Sequence, residues 1–137
     1  MDTLRNIKII NTTPAEYARA ENVGLWILQI LIAAVFLMTG SAKLFGNPMM
    51  IEVFGNLGLG QWFRYLTGAI EVFSAVIMLI PPVIPIGALL LIGTMCGAVW
   101  AHVFVIGGSP LVPVILLAFN IAVFLGRSRR LNRRSRV

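Results

Sequence analysis

Among the side chains of this sequence that can handle protons, three stand out in apolar stretches: the amine of Lys43, the carboxylate of Glu71 and the imidazole of His102. An acid, a base and a hydrogen-bond donor brought together suit proton transfer to and from a carbonyl or hydroxyl oxygen. They are scarce groups here, because only 12% of the 137 residues are charged and 58% are hydrophobic. Soluble domains carry about twice that charged fraction, and a chain this short cannot bury so much apolar surface in one core. Mean hydropathy is +0.91, so the bilayer is the expected solvent. Soluble enzymes and nucleic-acid modules are thereby disfavoured. The single Cys96 excludes an intramolecular disulfide relay, and the single His102 excludes bis-histidine haem ligation and the usual zinc sites. No metal site is expected, and no cofactor is named by the residues.

The elements that must position these groups are apolar segments. Four are expected, at about 23–45, 62–80, 84–106 and 111–125. A hydrocarbon core of roughly 30 Å takes about 20 helical residues, which the first three supply and the fourth does not. Only helices satisfy their own backbone groups in lipid. Pro81, Pro82 and Pro85 leave almost no loop between the second and third segments, and Gly107-Gly108-Ser109-Pro110 makes a tight turn before the fourth. Short connections imply antiparallel neighbours. The expected fold is an all-α membrane protein, an up-down bundle of four transmembrane helices, with a short interfacial or partly re-entrant helix starting at Pro48 and carrying Met49, Ile51, Val53, Phe54 and Leu57. Ahead of the first span, Thr13-Pro14 predicts an N-cap and a short surface helix over 15–20. Residues 1–22 read as an N-terminal segment without a cleavable signal, 23–126 as the transmembrane domain and 127–137 as a basic tail.

The net charge of +6 belongs to that tail. Arg127, Arg129, Arg130, Arg133, Arg134 and Arg136 lie in the last eleven residues, and the remaining chain balances five basic against five acidic residues. The tail predicts cytoplasmic termini at both ends by the positive-inside rule and an attraction to anionic lipid, with no nucleic-acid partner. Cell-membrane localisation with several spans follows.

In this topology Lys43, Arg64 and His102 lie toward the outer ends of their spans. Glu71 is seven residues past Arg64, about 10 Å deeper on the same face. A mid-bilayer charge costs at least about 2.5–3.5 kcal/mol, so the groups should face inward and meet. Lys43 and Arg64 have long stems that can snorkel to headgroups, whereas Glu71 cannot reach far. The first helix repeats Gln29, Ala33, Phe36, Gly40 and Lys43 at helical spacing, and the second repeats Arg64, Gly68, Glu71, Ala75 and Met78. Each stripe mixes polar with small residues, which lets backbones approach. Thr94, Ala98 and His102 form the corresponding stripe on the third helix, and Pro113, Leu117, Asn120 and Phe124 on the fourth. Gln29 and Asn120 fall at similar depth and are expected to bond. Gly93-x-x-x-Gly97 is a helix-packing motif, with dimerisation its rarer use. Glu71, His102 and Lys43 are the expected reactive groups; Arg64, Gly40, Gly68, Trp100 and Asn120 are expected around a bound ligand.

Gly40-Ser41-Ala42-Lys43-Leu44, closing the first helix, resembles the AGxxKL-type ending of the DoxX-like membrane proteins. Leu57-Gly58-Leu59-Gly60-Gln61-Trp62-Phe63-Arg64-Tyr65-Leu66-Thr67-Gly68-Ala69-Ile70-Glu71 is similar to that family's next segment, with its G-x-x-E in the second span, and Gly97-Ala98 with His102 match its third helix. Ser41 departs mildly from the pattern. The resemblance covers about 23–126 and implies a compact four-helix membrane protein associated with membrane redox, through thiosulfate–quinone oxidation or quinone and catechol stress. It points to Lys43, Glu71 and His102 without giving them roles. Three readings stand open: a redox-associated protein that holds a quinone-like lipophile and takes electrons from a partner subunit; an acid–base isomerase, cyclase or hydrolase on a lipophilic substrate; and a non-enzymatic assembly or accessory subunit, or a small transporter.

Overall fold

The structure, a computed structural model, describes residues 13–135. Five α-helices and no strand are present among the described residues. Helix α1 (Pro14–Leu44) starts at a capping box, in which Thr13 Oγ1 accepts from the Glu16 amide and the Glu16 carboxylate accepts from the Thr13 amide. Pro14 occupies the first helical position, where its missing N–H costs nothing. The expected surface helix and the first span are one 31-residue helix. Between Ala20 and Val23 stand only Glu21 and Asn22, with no proline to stop propagation. The expected N-terminal segment lies, over 1–12, outside the described residues, as does Arg136 of the basic tail.

Helix α2 (Pro48–Asn56) confirms the expected short helix; Asn47 Oδ1 accepts from the Met49 amide and Pro48 opens the first turn. Helix α3 (Gln61–Ile77) has 17 residues, about 25 Å at 1.5 Å each. A 3₁₀ turn at Pro81–Val83 leads into α4 (Ile84–Ala101), which a π-helical turn at His102–Ile106 prolongs. Helix α5 (Leu111–Arg134) runs well beyond the fifteen residues expected of the fourth segment. Arginine is a good helix former, and the arginine run therefore continues the helix.

Three stretches, Pro14–Leu44, Pro81–Ile106 and Leu111–Arg133, are long and apolar enough to cross a membrane. Large side chains such as Ile27, Leu31, Met38, Phe73, Leu89 and Phe104 point outward, exposed. Apolar surface on that scale is foreign to a soluble monomer and ordinary against lipid.

Helix α1 packs on α3, α3 on α4, α4 on α5, and α5 back on α1, while α2 lies against α3. Ile32, Ala33 and Phe36 of α1, Ala75 of α3, Met78 just beyond it, Ala88, Leu91 and Met95 of α4, and Val123 of α5 form the core between them. The stripes read on α1 and α3 are the buried ones: Gln29, Ala33, Phe36 and Gly40 on the first, Arg64, Gly68, Glu71 and Ala75 on the second.

On α4 the buried face is Ile84, Gly87, Ala88, Leu91 and Met95; of the expected stripe, Thr94 and Ala98 are half-buried beside it, with Ala98 against the core, and His102 lies beyond the end of the helix. Gly87 allows the tight approach there, since a Cβ on it would lie 2.8 Å from the Ser74 carbonyl oxygen. Gly93 and Gly97, read as a packing motif, face no neighbour within 4 Å of a would-be Cβ.

Gln29 and Asn120 do not bond. The Gln29 amide nitrogen donates to the Met78 carbonyl at 2.9 Å, and Asn120 donates to Leu116 on its own helix at 2.8 Å. Pro82 explains the first of these. It stands four residues after Met78 and has no N–H to serve that carbonyl, so a side chain from α1 takes the place.

Candidate functional site

Gly40 and Gly68 lie where α1 meets α3. A Cβ on Gly40 would sit 2.8 Å from Val72 Cγ2 and 3.0 Å from the Gly68 carbonyl oxygen; one on Gly68 would sit 3.0 Å from the Gly40 carbonyl oxygen. The two backbones are therefore as close as helices come, which is what small residues at an interface allow. These glycines position the site and do not line its cavity.

One turn along from Gly40, the close approach brings Lys43 to Glu71. Lys43 Nζ donates to Glu71 Oε1 at 2.5 Å, and Thr39 Oγ1 donates to Glu71 Oε2 at 3.3 Å. Glu71 is 2% exposed and the Lys43 side chain 13%. This is the only ion pair among the described residues. Thr39, unforeseen from sequence, was within reach of inference, for it precedes Lys43 by one helical turn.

Arg64 does not join that pair, nor does it snorkel. It is 2% exposed, its Nε donates to Gln61 Oε1 at 2.6 Å, and its Nη1 donates to the Lys43 carbonyl oxygen. Its guanidinium also lies over the Tyr65 ring, 4.2 Å from the centroid. The last carbonyls of α1 have no intrahelical partner and carry the negative end of the dipole. The amides of Phe45 and Asn47 take those of Ser41 and Ala42, and Arg64 takes the next. Gln61 passes the restraint on, donating from Nε2 to the Ile51 carbonyl of α2 at 3.1 Å. A single polar chain thus ties α2 and α3 to the end of α1.

With α2 held there, a partly open cavity of about 430 Å³ forms between α2, α3 and α4. Phe54, Phe63 and Leu66 supply apolar wall, and Trp100 stands at the edge, more than half exposed. Gly93 and Gly97 leave the α4 side low, so the bare backbone of that helix faces the space. The polar lining is Lys43, Glu71, Thr67 and Thr94. Both threonine hydroxyls donate to carbonyls of their own helices, which leaves the Lys43 ammonium as the donor with hydrogens to spare.

The imidazole is elsewhere. His102 does not line the cavity; its Nδ1 bonds the Ala98 carbonyl oxygen of the preceding turn at 2.8 Å. Since a carbonyl only accepts, Nδ1 carries the proton. Asn120 is buried on α5, also off the cavity. The structure therefore assembles Lys43, Glu71, Gly40 and Gly68, places Arg64 beside them and Trp100 at the cavity edge, and leaves His102 and Asn120 out.

No curated protein and no solved structure matches the sequence. The family model described as the DoxX-like family matches residues 27–124, more than half of the chain and nearly the stretch on which the sequence resemblance was read. With its long apolar helices and lipid-suited surface, this chain is a membrane protein and belongs to the DoxX-like family.

Proposed function

We propose that the chain crosses the cell membrane four times, with both ends on the cytoplasmic side, and holds a lipophilic, quinone-like molecule beside the Lys43–Glu71 pair. The observation that carries the reading is the meeting of a buried ion pair with an apolar cavity of about 430 Å³. Small-molecule sites have this character and size, mostly apolar with a few placed polar groups. Helix α3 is short for a span, yet Met78, Leu79 and Ile80 continue it in apolar character, and a mismatch of a few ångströms costs only fractions of a kcal/mol per Å. Positive charge at the end of α5 supports the orientation.

Lys43 would donate to a ring oxygen of the ligand while Glu71, whose carboxylate also accepts from Thr39, holds the ammonium in place; a proton that Lys43 passes to the ligand would be replaced from water outside the pair. Amine, carboxylate and hydroxyl groups pass protons but not electrons, so a redox role draws its electrons from a partner protein. The acid–base enzyme is the weaker reading, because its imidazole is bonded to Ala98 away from the cavity. A second reading has one observation in its favour. The tight Gly40–Gly68 contact makes the ion pair a device that sets helix register, as in an accessory subunit.

A Gly97→Leu variant separates the two. Gly97 borders the cavity with nothing within 4 Å of a would-be Cβ, so the new side chain fills the space while the helices stay put. Solvent extraction of the purified protein, followed by mass spectrometry, is expected to find a quinone-like lipophile near one per chain in wild type and at least tenfold less in Gly97→Leu. Equal amounts in both would contradict the ligand site and favour the register pair.

A further inference from the structure

At the opposite end of α3 a second recess, of about 240 Å³, lies between the start of α1 and the end of α5. Arg127 and Arg130 line it from α5, Asn22 and Trp26 from α1, and Pro81 and Ile84 from the turn and first residue of α4. Its character is opposite to that of the apolar cavity. Two guanidinium groups face it, and no carboxylate stands within ion-pair distance of either among the described residues.

Arg127 is not a loose tail residue. It is 8% exposed, its Nε donates to Gln29 Oε1 at 3.0 Å and its Nη1 to Asn22 Oδ1 at 2.9 Å. The guanidinium lies over the Trp26 ring at 4.9 Å. Gln29 is itself held by the Met78 carbonyl that Pro82 leaves free. Two hydrogen bonds and an aromatic face therefore fix the orientation of this cation, and its remaining nitrogen, Nη2, is buried with no partner among the described residues. Arg130 is drawn to the same wall, both of its terminal nitrogens donating to the Ala18 carbonyl at 3.1 and 3.2 Å. Burying a cation without a counter-charge is costly, so the recess is electrostatically incomplete as it stands.

We propose that this recess binds a phosphate group, with the Arg127 guanidinium as the fixed cation and Arg130 as the second. Planar guanidinium groups match phosphate oxygens in geometry and stay charged. The volume equals about eight waters at roughly 30 Å³ each, room for a phosphate and its ester substituent. The source is either the headgroup of an anionic phospholipid or free phosphate. The site does not depend on what occupies the apolar cavity.

Full-length protein in a nonionic detergent, at constant ionic strength, is titrated with dihexanoyl phosphatidylglycerol, dihexanoyl phosphatidylcholine or inorganic phosphate, and the unfolding midpoint is followed. A ligand that binds only the folded form raises the midpoint along a saturating curve. The anionic lipid is expected to saturate, with Arg127→Gln weakening it at least tenfold and the exposed control Arg129→Gln, which removes the same charge, less than twofold. Saturation by inorganic phosphate as well supports the phosphate group alone as the recognised unit; saturation by phosphatidylglycerol alone supports the lipid headgroup. If Arg127→Gln does not fold, Arg130→Gln is read in its place against the same control. No saturation with any of the three, or equal weakening in Arg127→Gln (or Arg130→Gln) and Arg129→Gln, would overturn the proposal.

Discussion

Lys43→Met is expected to destabilise the folded protein by about 3–5 kcal/mol, the cost of stranding one member of a buried ion pair. Glu71 is almost wholly buried, and its carboxylate keeps only the long bond from Thr39 once the amine is gone. Glu71→Gln should cost less, because the Lys43 side chain retains some exposure and its stem can carry the ammonium toward headgroups. The double variant, Lys43→Met with Glu71→Gln, should be more stable than Lys43→Met alone, with a coupling energy in the range of about 0.5–3 kcal/mol found for residues in contact. Titration of the four proteins with a denaturing detergent, followed by helical circular dichroism, measures the cycle. Costs that simply add would show that the two groups do not act as a unit.

Arg64→Met is expected to have an effect of similar size, roughly 3–6 kcal/mol, from two lost hydrogen bonds to a charged donor at about 1.5–3 kcal/mol each. The loss strands the Lys43 carbonyl at the end of α1 and the Gln61 side chain together. Arg64→Lys should recover only part, since an ammonium lacks the planar fork that reaches both acceptors. The damage has an address. Gln61 also holds Ile51, so amide hydrogen exchange should accelerate across α2 while α4 and α5 keep their protection. An Arg64→Met variant within about 1 kcal/mol of wild type would match an arginine whose charge sits in water, against the burial described.

Burial on α1 and α3 was legible because their inward stripes carry the helices' uncommon residues. Gln29, Gly40, Arg64, Gly68 and Glu71 stand out from an apolar background, and spacing by three and four puts each set on one face. Helix α4 offers no such contrast. It consists largely of leucine, isoleucine, alanine and glycine, and of its few polar residues Thr94 reaches the cavity while His102 does not. Both satisfy themselves on their own helix, bonding Leu91 and Ala98. The imidazole therefore left the expected cluster, while Gly93 and Gly97 became cavity wall.

Arg127 was hidden by its neighbours. Six arginines in eleven residues read as one diffuse charge, although the stripe Asn120, Phe124 on α5 reaches Arg127 three residues further on. Gln29 was correctly placed inside, but its partner was set by Pro82. That consequence could have been drawn from the two adjacent prolines, since the carbonyl four residues ahead of each one loses its helical donor.

The placement of a lipophile beside Lys43 and Glu71 is tested most directly by tryptophan quenching. With Trp26 and Trp62 replaced by Phe, Trp100 at the cavity edge is the remaining indole. Titrating this protein in detergent with a short-chain benzoquinone is expected to quench Trp100 along a saturating curve, and Gly97→Leu should abolish the saturating part. Quenching that rises linearly with quinone in the micelle, and is the same with Gly97 or Leu at that position, would contradict a ligand in the cavity.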